Sequence, residues 1–152
     1  MEERIYNAKE ELKRVDHLIY VSLKYTRTAD ILMSVVERMM NAYEWMIEGL
    51  LHQLKKEKAI DEIPTIPGLK ADLVKKHFED DKRITDAIDF FLFLRKVKNS
   101  KYAAAHEYRR NVTMTVVVEQ EQYDITIDSV MGYYKEILDF VEYIQDKFDD
   151  ER

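Results

Sequence analysis

The sequence predicts an all-α fold: an antiparallel, up-and-down four-helix bundle with an extra short helix and a short β-like excursion before the last helix. One domain spans residues 1–152. Three observations predict it. Apolar residues recur at alternating steps of three and four in three separate stretches, which is the seam of packed helices. Only 3 glycines and 2 prolines interrupt the chain, and both prolines fall in one linker. Charged residues make up 36% of the sequence, a composition of helices with solvated outer faces.

The first helix carries Ile5, Ala8, Leu12, Val15 and Ile19 on one stripe. It ends near "KYTRTAD" at 24–30, where the Thr28 hydroxyl can accept an early amide N–H of the second helix. That helix is lined by Leu32, Val36, Met39, Tyr43, Met46, Leu50 and Leu54. The linker "DEIPTIPGLK" at 61–70 follows, then a short helix near 70–79. The third long helix begins at Lys82 or Arg83. Its "ITDAIDFFLFLRKV", 84–97, is apolar around much of its circumference, so it is either the centre of the bundle or a contact with a second subunit. Residues 112–126, "VTMTVVVEQEQYDIT", are rich in Val and Thr and favour two short strands with "EQEQ" as the turn. The last helix carries Ile127, Val130, Tyr134, Ile137, Val141, Ile144 and Phe148 without a fault in the repeat.

Composition narrows the function classes. There is no cysteine, hence no disulfide, thiolate metal site or cysteine nucleophile, and a reducing cytoplasm is the expected setting. The N-terminal stretch is charged and does not read as a signal peptide. The longest apolar run, "FFLFL" at 90–94, is far below a membrane span, so no membrane is expected. The net charge of -6 argues against a general nucleic-acid coat protein. His17, His52, His77 and His106 fall on four different segments, and Glu48 and His52 miss the Glu-x-x-His spacing of di-iron bundles by one residue. No metal is expected. Gly49, Gly68 and Gly132 are isolated, so no phosphate-binding loop and no cofactor are expected either.

One window departs from this acidic background. Arg95, Lys96, Lys98, Lys101, Arg109 and Arg110 stand against a single acid, Glu107. The window is either a solvated face whose acids sit on neighbouring helices, or an anion site built for phosphate oxygens. Within it lies "KYAAAHEYRRN", 101–111. If the third helix continues, Tyr102, His106 and Arg110 share a face at steps of four. Lys101 and His106, five apart, converge only where the helix ends or where a second subunit completes the site. A histidine base beside a fixed cation is the minimum for metal-free RNA cleavage.

"KYAAAHEY" resembles the Arg-x4-His-x-Tyr signature of the HEPN superfamily (higher eukaryotes and prokaryotes nucleotide-binding), in its place between the penultimate and last long helices. Lys101 takes the arginine position, His106 the histidine and Tyr108 the tyrosine. The resemblance implies a helical bundle that pairs as a homodimer and forms a metal-independent endoribonuclease site, sometimes as a toxin neutralised by a nucleotidyltransferase partner. It makes Lys101 the phosphate cation, His106 the base and Tyr108 an orienting hydroxyl. Arg95, Lys98, Tyr102, Arg109 and Arg110 are candidates for RNA contact. Lysine in place of arginine loses the planar fork and keeps a point charge. Members without a working motif act as binding modules, so a non-catalytic dimeric interaction domain, binding a partner protein or nucleotide, is the alternative expectation.

Overall fold

The computed structural model describes residues 1–148; residues 149–152 of the expected single-domain span lie outside the described residues. The chain is mostly helical and carries a small antiparallel sheet. Helix α1, Glu2–His17, runs on through a π-helical turn, Leu18–Ser22, into α2, Leu23–Tyr25. The backbone stays right-handed at both junctions, so the first element is one continuous rod. The Thr28 hydroxyl accepts the Ile31 N–H at 3.3 Å and starts α3, Ala29–Lys56. Pro67 opens α4, Pro67–His77, where its missing N–H costs nothing. Asp81 caps α5, Lys82–Lys98. Thr126 and Ser129 bond reciprocally at the start of α6, Ile127–Lys147.

The expected seams face the interior. Every seam residue of α1 to α3 is buried, as are those of α6 apart from the partly buried Phe148. Arg4 reaches His52 and Glu11 reaches Arg38, so α1 and α3 run antiparallel. Lys9 bonds Gln145 and Asp16 bonds Tyr134, so α6 runs antiparallel to α1. The Arg83 guanidinium lies 4.3 Å over the Tyr143 ring and Phe90 meets Tyr133 at 4.9 Å, which makes α5 and α6 antiparallel too.

The apolar circumference of α5 is met inside the chain. Phe91 is fully buried, Phe90 packs on Tyr43 and Tyr133, and Phe93 packs on Tyr123 at 4.9 Å. Tyr123 belongs to the sheet. The sheet has three strands, β1 (Tyr102–Ala105), β2 (Thr113–Val118) and β3 (Glu121–Thr126), in the order β1-β2-β3. Met114, Val116 and Val118 of β2 and Ile125 of β3 point into the core. Glu119 and Gln120, both at positive φ, form the two-residue turn that the "EQEQ" stretch predicts.

The fold is therefore not purely α, and β1 is the correction. The helix does not continue through Lys101. Asn99 caps α5, and the Ser100 hydroxyl donates back to the Lys96 carbonyl at 2.6 Å. "YAAA" has strong local helix propensity, but β2 is an extended Val- and Thr-rich strand that needs partners on both edges. Ladder pairing with β2 decides the conformation.

Candidate functional site

The motif sits on β1 and on the turn that follows, 106–111. That turn is pinned at three places. The Tyr108 N–H donates to the Arg27 carbonyl at 2.6 Å, tying it to the α2–α3 connection. The Arg109 N–H donates to the His106 carbonyl at 3.2 Å. Val112, fully buried, anchors the exit into β2. His106 and Tyr108 adopt left-handed backbone, φ 55° and 67°, a cost of roughly 1 kcal/mol each for residues with a Cβ. Their side chains face solvent, Tyr108 at 75% exposure.

The cationic window divides in the fold. Lys96 pairs with Glu119, and Arg110 pairs with Asp128 at 2.8 Å beside the start of α6. Arg95 and Lys98 lie within the field of Glu44 on α3. Burial pushes the Glu44 carboxyl up, and the fields of Arg95, Lys98 and Lys70 pull against that shift. Lys101 and Arg109 are exposed and have no acid partner among the described residues. Glu44, Asp128, Glu119 and Arg27 have no signal in the sequence that ties them to the motif, because each arrives from a distant element.

Tyr102, His106 and Arg110 do not share a helix face, contrary to the expectation for a continuing helix. Tyr102 and Ala104 register with the buried Val116 and Met114, which places them on the helix side of the sheet. Both are nevertheless exposed, so β1 overhangs the helical layer. Lys101 and His106 flank β1 at its two ends, roughly 17 Å apart at the rise of an extended strand. One chain does not hold the two groups as neighbours.

A cavity of about 390 Å³ lies elsewhere, lined by Glu11, Glu44, Trp45, Glu48, Lys70 and Phe91, and no motif residue lines it. Among the described residues, no group of three or more His, Asp or Glu side chains converges as a metal site would require. No helix among them is long and apolar enough to cross a membrane. Compared with family models, curated proteins and solved structures, the chain matches none.

Proposed function

We propose that this chain is an HEPN-like, RNA-associated domain of the cytoplasm, with its long helices in the up-and-down bundle of that superfamily. It holds single-stranded RNA on the β1 end of the molecule and cuts it without metal when two copies combine. Lys101 serves as phosphate cation, His106 as base and Tyr108 as orienting hydroxyl. Arg109 grips the backbone, Arg110 joins it by exchanging Asp128 for a phosphate, and Arg95, Lys98 and Tyr102 flank its path. In the toxin-type arrangement, a nucleotidyltransferase or another antitoxin-like protein would cover this surface. The observation that carries the reading is local. His106, Tyr108 and Arg109 are presented outward on a pinned turn, and Lys101 is exposed at the other end of β1; Lys101 and Arg109 have no acid partner among the described residues, while the neighbouring cations Lys96 and Arg110 are neutralised.

In the reaction, the His106 imidazole takes the proton of the ribose 2′-hydroxyl. The 2′-oxygen attacks the adjacent phosphorus, the P–O5′ bond breaks, and the leaving oxygen takes a proton from the medium. The products are a 2′,3′-cyclic phosphate and a 5′-hydroxyl end. The Lys101 ammonium offsets the charge that builds on the phosphorane.

The alternative, a non-catalytic dimeric interaction module, is favoured by one observation, the separation of Lys101 and His106 along β1. RNA titrations distinguish the two. The protein should bind single-stranded RNA with an affinity that falls as salt rises, and should cut it in EDTA to cyclic-phosphate ends. His106→Ala should abolish cutting and spare binding, Lys101→Ala should damage both, and Lys101→Arg should keep or raise the rate. Arg110→Ala should weaken binding and flatten the salt dependence. Intact RNA together with no salt-dependent binding overturns the proposal.

A further inference from the structure

We propose that Tyr25 and Tyr108 form a stacking platform for unpaired bases, flanked by Lys24, Arg27 and Arg109, so that single-stranded nucleic acid crosses the junction between α2 and α3 as well as the motif turn. The platform deepens the RNA reading above and rests on it for the class of ligand. Tyr25, 78% exposed, and Tyr108, 75% exposed, are the two most exposed large hydrophobic side chains among the described residues. They lie far apart in the sequence, yet one hydrogen bond brings their segments together. The Tyr108 N–H donates to the carbonyl of Arg27, two residues past Tyr25. Standard backbone lengths then hold the Cα atoms of the two tyrosines within about 14 Å of each other. At about 3.4 Å per nucleotide, that is a span of roughly four stacked nucleotides at most.

Cations interleave with the rings. Lys24 adjoins Tyr25 and Arg109 adjoins Tyr108, and both are exposed. The Arg27 Nε donates to the Leu23 carbonyl at 3.1 Å, which folds the guanidinium back over the end of α2. None of these three cations has an acid partner among the described residues. The acids within 24–30 and 106–111 are Asp30 and the partly buried Glu107, and Arg110 is cancelled by Asp128. The junction therefore keeps a cationic excess in a chain of net charge -6.

This chemistry selects bases over a protein partner. Residues 24–28, "KYTRT", and 106–111, "HEYRRN", hold no aliphatic side chain. Their apolar area comes from the two rings alone, with charges between them. The core of a protein interface is depleted of charge. A strand of unpaired bases needs the opposite, aromatic faces for the bases and cations for the phosphates that join them. The frame is also in place before the ligand arrives. Tyr108 is held at φ 67° with its N–H tied, and Tyr25 belongs to the last turn of the α1–α2 rod. Every base has a π-face, so such a platform accepts any sequence and needs no 2′-hydroxyl.

Fluorescence anisotropy in EDTA, with a labelled oligouridylate and an oligodeoxythymidylate of the same length, tests the platform. Both probes should bind with similar affinity, and only the RNA should be cut. Tyr25→Ala should weaken both by about tenfold or more without changing the slope of the salt dependence. Tyr25→Phe should keep the affinity, and Tyr25→Leu should lose it as alanine does, because leucine has no π-face. Lys24→Ala should flatten the salt dependence instead. Tyr6→Ala is the control: Tyr6 is 62% exposed but about 28 Å back along the same rod, and its loss should change nothing. The exposure of Tyr25 means that its variants should melt with the wild type. RNA bound equally by wild type and Tyr25→Ala, or by wild type and Tyr25→Leu, overturns the platform and leaves the RNA reading standing. RNA bound through Tyr25 but left intact overturns the nuclease reading and leaves the platform standing. Neither probe bound overturns both, and assigns the surface to a protein partner.

Discussion

Asp81 joins α5 to the end of α6, and replacing it with alanine should show how much of the stability lies in that joint. One carboxylate oxygen accepts the Ile84 N–H at 3.2 Å and caps α5. The other accepts the Tyr143 hydroxyl and the Lys147 ammonium, the latter at 3.1 Å, both from the end of α6. The lost cap is worth about 1 kcal/mol. The hydroxyl bond to a carboxylate adds about 1.5 kcal/mol. The lysine, with its side chain 35% exposed, adds well under about 1 kcal/mol after solvent screening. Asp81→Ala should therefore cost about 2–3 kcal/mol in urea titrations at pH 7. Asp81→Asn, which keeps an acceptor at the cap, should cost about half as much. Acid adds a second check. Burial works against the ionised form of Asp81, but the bonds from Tyr143 and Lys147 prevail and hold its carboxyl below the usual range. A depressed folded value means that the contribution is complete above the unfolded value, about pH 4, and fades as the pH drops through the folded one. The gap between wild type and Asp81→Ala should be flat from pH 7 to 5 and close below about pH 4. A gap below about 0.5 kcal/mol at pH 7, or one that persists unchanged in strong acid, would refute this account of the joint.

Ile137 is completely buried in the seam of α6, so Ile137→Ala should cost about 2–5 kcal/mol, whereas Glu142→Ala on the outer face should cost less than about 0.5 kcal/mol. Equal shifts in denaturant midpoint would contradict the register. Gln120 holds φ 71° in the turn between β2 and β3, so Gln120→Gly should raise the melting temperature, by about 0.4–1 kcal/mol in stability; a loss would mean that the glutamine makes contacts worth more than the strain.

The helical seams were legible because burial and periodicity are the same fact seen at two levels. Ile5 to Ile19, Leu32 to Leu54 and Ile127 to Ile144 face the core at the steps that the sequence shows. Thr28 was legible because a cap is local chemistry. The strands β2 and β3 could be anticipated from Val and Thr density. β1 could not, because "YAAA" takes its conformation from its partner strand, whose paired residues run from Thr113, opposite Ala105, to Val116, opposite Tyr102. The site suffered from the same gap. The residue types of the motif were visible, but their spacing was read on a helix, where five residues advance about 7.5 Å instead of the strand's roughly 17 Å. The pairing of Arg110 with Asp128 and of Lys96 with Glu119 was hidden for the same reason, since each depends on how the sheet folds back over the helices.

Backbone strain separates the two tight turns of the sheet. At Glu119 and Gln120 the left-handed conformations are what a two-residue hairpin demands, because only that twist matches the strands it joins. The connection from Ala105 to Thr113 is longer and has no such demand, yet His106 and Tyr108 are both left-handed. Two consequences follow from the geometry there. The Tyr108 N–H turns inward to the Arg27 carbonyl, while the Tyr108 ring and the His106 imidazole turn outward beside Arg109. A glycine or asparagine would make the same turn at lower cost. Neither stands at these positions, so the strain is carried by the two side chains that the RNA reading needs.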